Sequence, residues 1–279
     1  MRVADAVTAL FVPGDRPDRF GKAAASGADV VIIDLEDAVA PSAKAAARDH
    51  VRTALRTGEH RFLVRVNPLG GPESDADRQL LQDLTRHPGV SLQGVVAPKA
   101  DDPTALAELA TLLHAAFDGP VPVVALLETA RGVLAAQALA GVAGVVRLAF
   151  GALDLAADVD ATGDPGPLLG YARAQIVLAS RAAGIAAPLD SPSVEITNSE
   201  AVLASARAAR GIGFAGAFCI HPRQLAAVRA GFTPSVAELT WARSVVTAGE
   251  SATQVDGRMV DRPVVERARR LLARDPGGA

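Results

Sequence analysis

Charged residues placed at the ends of apolar runs are the first feature of this sequence with chemical content. Ala125-Leu126-Leu127 runs straight into Glu128, and Phe150-Gly151-Ala152-Leu153 into Asp154. Two carboxylates, completed by water and substrate oxygens, suit a hard cation such as Mg2+. Each alone equally suits the first turn of a helix, where the dipole stabilises an acid by roughly 0.3–1 kcal/mol. Arg65 ends a third apolar run, Phe62-Leu63-Val64. A guanidinium there needs an acidic partner, because an unpaired buried charge is costly, and Asp34, Glu36 and Asp37 are the candidates. Its outer edge can at the same time clamp a substrate carboxylate through two hydrogen bonds. Within the acidic cluster, Glu36 is the expected site member. Lys99 would be the Schiff-base residue of a metal-free aldolase; beside a metal pair it reads as a rim charge. His221, ahead of Pro222, reads as a hydrogen-bonded structural histidine more readily than as a base.

Something must bring these positions together, and the apolar pattern says what. Eight short runs rich in β-branched or apolar residues recur along the chain: Thr8–Val12, Val30–Asp34, Phe62–Val66, Gly94–Ala97, Val121–Leu127, Val145–Phe150, Ala186–Asp190 and Gly216–Ile220. Between them lie Ala- and Leu-rich stretches of helical periodicity, including Lys44–Arg56, Pro103–Phe117, Gly166–Ala183 and Ser199–Arg210. Ser42, Asp102 and Asn198 are placed to cap three of them. Strands alternating with helices predict parallel pairing. Eight such units predict an α/β fold, a (β/α)8 TIM barrel, whose strand C-termini converge on one rim. An open dinucleotide-binding sheet would want a GxGxxG turn after the first strand, and Val12-Pro13-Gly14-Asp15-Arg16-Pro17 has none. The barrel is expected over residues 1–232 and a helical lid extension over 233–279. That extension comprises a helix around Trp241, a loop from about Thr247 to Gly257, a helix over Val264–Arg274 and a frayed Pro-Gly-Gly-Ala end.

Composition removes several classes of function. With 28 basic against 31 acidic residues and a pI near 6.0, the chain has no electrostatic footprint for nucleic acid or an anionic membrane. Cys219 is the only cysteine, which suits a reducing compartment. The first ten residues include Asp5 and run into Pro13 and Gly14, unlike an export signal. No stretch approaches the ~20 apolar residues of a membrane span. A cytoplasmic enzyme with a small-molecule substrate is the expectation.

A set of motifs in one order adds to this reading. LFVPGDRPDRF (10–20), DVVIIDLEDAVAPSAKAAAR (29–48), LVRVNPLGG (63–71), VVAPKAD (95–101), LLETARGV (126–133), LAFGALDLAADV (148–159), GAFCIHPRQL (216–225) and GRMVDRPVVERARRLL (257–272) resemble the HpcH/HpaI aldolase and citrate lyase β-subunit family, in its CitE-like acyl-CoA lyase branch. The resemblance implies that Glu128 and Asp154 bind Mg2+, and that Arg65 binds the substrate carboxylate beside Glu128. It places Arg16, Arg19 and Lys22 near coenzyme A phosphates, although the three also fit the solvated face of a helix. It matches Asp261 to an acid/base that reaches a neighbouring subunit's site in a homotrimer; a cap on the following helix is the plainer role. The implied reaction converts a citramalyl-, malyl- or citryl-thioester into a 2-oxo acid and an acyl thioester. Hydrolysis of malyl-CoA, or a non-catalytic barrel subunit of a larger complex, are the alternatives.

Overall fold

β-branched side chains pack well on a pleated surface, and all eight apolar runs form parallel strands: β1 (Thr8–Pro13), β2 (Val30–Asp34), β3 (Phe62–Arg65), β4 (Leu92–Ala97), β5 (Val123–Leu127), β6 (Val145–Phe150), β7 (Ala186–Asp190) and β8 (Gly216–Cys219). They close in sequence order into a barrel, β1 pairing with β8. The computed structural model describes residues 1–87, 89–117, 121–248, 253–255 and 258–273. Val121 and Pro122 precede β5, where a strand beginning at Val121 was expected; Pro122 has no N–H to give a ladder.

Register fixes what reaches the rim. Pro13 lies beside Asp34, Asp34 beside Arg65, and Leu127 beside Phe150. The C-terminal ends of β2, β3, β5 and β6 therefore deliver their polar residues to one opening. Alternate side chains, among them Ala9, Ile32, Leu63, Val96, Val124, Leu126, Ala149, Leu189 and Phe218, fill the barrel interior. The other strand faces join a larger core with the surrounding helices.

The opposite end is plugged by a short N-terminal turn (Val3–Asp5) and by Arg147 on β6, which is fully buried. Its guanidinium donates to the carbonyls of Ala187 (2.6 Å), Ala6 (2.6 Å) and Val3 (3.3 Å). Burial lowers its pKa to about 10. Arg147→Met removes a costly buried charge but takes the guanidinium donor from the Ala187 and Ala6 carbonyls, while that of Val3 keeps the Ala6 N–H. At about 1–3 kcal/mol for each unsatisfied group, the loss wins, and urea denaturation should show about 2 kcal/mol of destabilisation.

The crossover helices Lys44–Thr57, Pro103–Ala116, Gly166–Ala182 and Ser199–Ile212 appear where periodicity puts them. Asp102 caps the second through Thr104 N (2.8 Å) and Asn198 the fourth through Ala201 N (3.1 Å). Ser42 is not a cap: it lies inside a 3-10 turn, Pro41–Ala43, that feeds directly into the first helix.

After the barrel come helix Val236–Ala248, a short antiparallel hairpin of β9 (Thr253–Val255) and β10 (Arg258–Val260), and helix Arg262–Leu272. The hairpin stands within a stretch that composition alone reads as loop. Residues 249–252, 256–257 and 274–279, which include part of that stretch and the terminal Pro-Gly-Gly-Ala, lie outside the described residues. Ala242, Val245, Val260, Val265 and Ala268 give the extension a small core of its own. One tie to the barrel is Arg210 Nη2, 2.8 Å from both carboxylate oxygens of Glu238. Glu238 also accepts from the N–H and hydroxyl of Ser235 at the helix start. Partial burial opposes ionisation, but these donors and Arg210 outweigh it and pull the carboxyl down to about 2. A depressed folded-state pKa gives stability that is present above the unfolded value, ~4.3, and lost as pH falls towards 2. Glu238→Gln should therefore flatten that acid limb in a Tm-against-pH series, modestly, since the pair is partly solvated. Among the described residues, no helix is long and apolar enough to cross a membrane.

Candidate active site

Asp34 ends β2 and is almost wholly buried. One oxygen takes Arg65 Nε at 2.7 Å and the other takes Nη2 at 2.6 Å. The same carboxylate accepts from the N–H groups of Glu36 and Ala38, so it shapes the loop after β2 while orienting the arginine. Glu36 Oε2 lies 2.8 Å from Arg65 Nη1 as an ion pair outside hydrogen-bond alignment, and Oε1 meets the Lys99 ammonium. Arg65 also stacks over the Phe11 ring, 4.7 Å from its centre. Burial disfavours its charge, yet Asp34, Glu36 and Glu128 raise its pKa. The β2 loop is held from behind by Lys44, whose ammonium donates to the carbonyls of Leu35 (2.8 Å) and Glu36 (3.0 Å) and to Asn67 Oδ1. Asn67 in turn donates to Asp77, which pairs with Arg48. Asn67 is thus a strut beneath the site.

Lys99, just past β4, has φ +45, a conformation uncommon outside glycine and typical of functional turns. It aims the backbone N–H at Glu128 Oε1 (2.9 Å), while the side chain reaches Glu36 and passes 3.7 Å from Asp37 and 3.8 Å from Asp154. Burial works against the ammonium, but Glu36 and its acidic neighbours raise the pKa. A Schiff-base lysine needs the reverse shift. Lys99 is a fixed cation and more than an idle rim charge.

Glu128 is 2% exposed. Burial, then the charges of Glu36 and Asp154, push its carboxyl up to about 8, against the Lys99 N–H. Gly151, just past β6, lies against it: a Cβ there would stand 2.3 Å from Glu128 Oε2. The backbone of Gly151 is ordinary extended chain (φ −116), so the missing side chain, not conformational freedom, is what matters. Gly151→Ala should push the carboxylate aside, weakening Mg2+ binding and lowering turnover by about 10²-fold. Adding Glu128→Asp, one methylene shorter, should recover part of the loss in a metal titration.

Glu128, Asp154, Arg65, Asp34 and Asp37 all line one cavity of about 660 Å3 at the rim, walled by Phe11, Leu126, Phe150, Phe218 and Ile220. A wider concavity, about 820 Å3, lies outside the barrel around Arg207, Arg210 and Arg229. Arg210 and Arg229 there are already paired with Glu238 and Asp29. The chemistry belongs to the rim cavity, where carboxylates outnumber cations.

A model of the HpcH/HpaI aldolase/citrate lyase family matches residues 8–222. The chain belongs to that family. Its HpcH/HpaI relatives include a citrate lyase subunit beta-like protein of Mycobacterium tuberculosis, 39% identical over 274 residues that cover 95% of this chain and 94% of the relative. An L-malyl-CoA/beta-methylmalyl-CoA lyase of Cereibacter sphaeroides is 34% identical, covering 93% and 91%. The crystal structure of M. tuberculosis CitE with magnesium, acetoacetate and coenzyme A superposes with a TM-score of 0.84 at 36% identity, over 98% of this chain and 99% of that one.

Within this HpcH/HpaI barrel, Glu36, Arg65, Lys99, Glu128 and Asp154 converge. Asp261 does not join them in its own chain: it caps helix Arg262–Leu272 through Val264 N (3.3 Å). Arg16, Arg19 and Lys22 are exposed on the turn and helix after β1, outside the cavity lining, with Arg16 paired to Asp18 at 3.0 Å. His221 is a cap, its Nδ1 accepting from Arg223 N (3.1 Å). Sequence reasoning missed Arg173, on helix Gly166–Ala182, which pairs with the buried Asp190 at the end of β7. Its i+4 periodicity gives no sign that it faces the cavity. Gly151 was missed as well, and its place immediately before an acidic helix turn was the available signal.

Proposed function

We propose that the protein is a Mg2+-dependent carbon–carbon lyase. It cleaves a 3-hydroxy-acyl-CoA thioester, of the citramalyl, malyl or citryl kind, to a 2-oxo acid and an acyl-CoA, or runs the condensation. The observation that carries this reading is that Glu128 and Asp154 line one cavity with Arg65.

The donor set fits a hard divalent ion. Glu128 accepts only the Lys99 N–H among the described residues, and burial, Glu36 and Asp154 all raise its carboxyl pKa; a cation would favour the ionised form. No three His, Cys, Asp or Glu side chains among the described residues form a ready metal cage, so water and substrate oxygens would have to complete the shell, as they commonly do for Mg2+. Glu128 and Asp154 would hold the ion, which supplies Lewis-acid polarisation of the oxo-acid carbonyl.

Arg65, fixed by Asp34 and Phe11, turns its remaining N–H groups to the substrate carboxylate and fixes the attack geometry. Glu36 holds Arg65 and Lys99 at the mouth and is the second carboxyl assigned to catalysis. Arg16, Arg19 and Lys22, on the segment following the rim end of β1, are assigned to coenzyme A phosphates. Asp261 of a second copy moves the proton at the thioester α-carbon. The extension's self-contained core supports that arrangement, since the last helix packs mainly on helix Val236–Ala248, with the hairpin beside them. The assembly proposed is a homotrimer, or a dimer of trimers, with shared sites, and the compartment proposed is the cytoplasm, which suits the free thiol of Cys219.

The relatives support the chemistry: M. tuberculosis structures hold magnesium with acetoacetate and coenzyme A, or with oxaloacetate, and the Cereibacter protein is a malyl-CoA lyase. The test is incubation with citramalyl-, malyl- and citryl-CoA, with Mg2+ and with EDTA. Metal-dependent release of a 2-oxo acid with acetyl-CoA supports the lyase. Free CoA with intact malate would instead mean a thioesterase, and silence with all three would overturn the assignment.

A further inference from the structure

β3 and β7 stand opposite one another in the closed ring of eight strands, and each side of the mouth carries the same three-part assembly. On one side Arg65 is gripped by Asp34 and lies over Phe11. On the other, Arg173 is gripped by Asp190 and lies 5.0 Å over the Phe150 ring. The grip differs. Arg65 spends Nε and Nη2 on Asp34 and directs Nη1 to Glu36. Arg173 uses Nε alone, 3.0 and 3.2 Å from the two oxygens of Asp190. No hydrogen bond engages its two terminal amino groups among the described residues. The side chain is 23% exposed and lines the same cavity as Glu128 and Asp154.

Neutralising Asp190 would need only the Nε contact. What remains is a planar fork of N–H donors, held on one edge by a carboxylate and on one face by an aromatic ring, and turned to a wet cavity. Such a preorganised fork matches a carboxylate. Resting on the lyase reading, we infer that Arg173 binds a second carboxylate of the substrate and so selects dicarboxylic 2-oxo acids, and the thioesters made from them, over monocarboxylic ones.

Oxaloacetate and pyruvate differ by that one carboxylate. The experiment measures kcat/KM for Mg2+-dependent condensation of each with acetyl-CoA, together with equilibrium binding of each acid to the Mg2+-loaded protein. Wild type and Arg173→Gln are compared, with Arg173→Lys as the variant that keeps a cation beside Asp190 if the glutamine protein folds poorly. A charged hydrogen-bond pair predicts that the oxaloacetate-to-pyruvate preference falls roughly 10- to 100-fold in either variant. An unchanged ratio, with or without a loss common to both acids, overturns the inference and leaves Arg173 as the partner of Asp190. A wild type that accepts pyruvate and ignores oxaloacetate overturns it too while leaving the lyase standing. A wild type that condenses glyoxylate, the oxo acid of a malyl thioester, but neither of these acids also overturns the inference, and one that condenses none of the three fails the lyase reading itself.

Discussion

Glu128→Gln leaves a folded barrel that has lost Mg2+ binding and turns substrate over at least roughly 10³-fold more slowly. The carboxamide keeps the shape of the side chain and still offers an oxygen to the Lys99 N–H, which lies 2.9 Å from Oε1 in the native chain. What is lost is the capacity to ionise. In the native chain burial and the nearby Glu36 and Asp154 oppose that ionisation, so the charged carboxylate costs stability unless a cation offsets it. The metal-free variant should accordingly be no less stable than the parent by denaturant titration, while a Mg2+ titration by calorimetry goes flat. Activity within tenfold of wild type would mean that the carboxylate is a helix-turn acid and nothing more.

Asp261→Asn should cost roughly 10²- to 10⁴-fold in turnover, the usual range for a general acid–base group, with Mg2+ affinity intact. Asparagine caps a helix as well as aspartate does, so the bond to Val264 N survives and a folding defect is not the expected cause. Because Asp261 does not line its own chain's cavity, the proposed acid–base role would be filled in trans. Co-refolding the Asp261→Asn and Glu128→Gln proteins, each inactive alone, should restore a fraction of wild-type activity in mixed oligomers. Absence of recovery would place the acid–base group within one chain, or remove Asp261 from the mechanism.

The barrel was legible because each strand is a short apolar run with its own crossover helix, and strand ends are punctuated by charge: Asp34, Arg65, Glu128 and the Asp154 turn all emerge where the runs stop. A parallel barrel then does the rest, since register alone carries those residues to one rim. What stayed hidden depends on contacts between distant positions. Arg173 reads as one more polar residue on a helix until β7 brings Asp190 beneath it. The importance of Gly151 exists only because Glu128 packs against its Cα. Lys99 looks like a rim lysine because nothing local reveals its left-handed backbone. The β9–β10 hairpin was hidden for another reason: its strands are three residues each, too short for a period of two to show.

The most direct test is a crystal grown with Mn2+ in place of Mg2+ and with pyruvate, examined for anomalous scattering. The account predicts one peak about 2.0–2.3 Å from a carboxylate oxygen of both Glu128 and Asp154, with pyruvate oxygens completing its shell and the pyruvate carboxylate on Arg65. A peak bound elsewhere, or an oxo acid seated in the cavity with no metal touching either carboxylate, would contradict it.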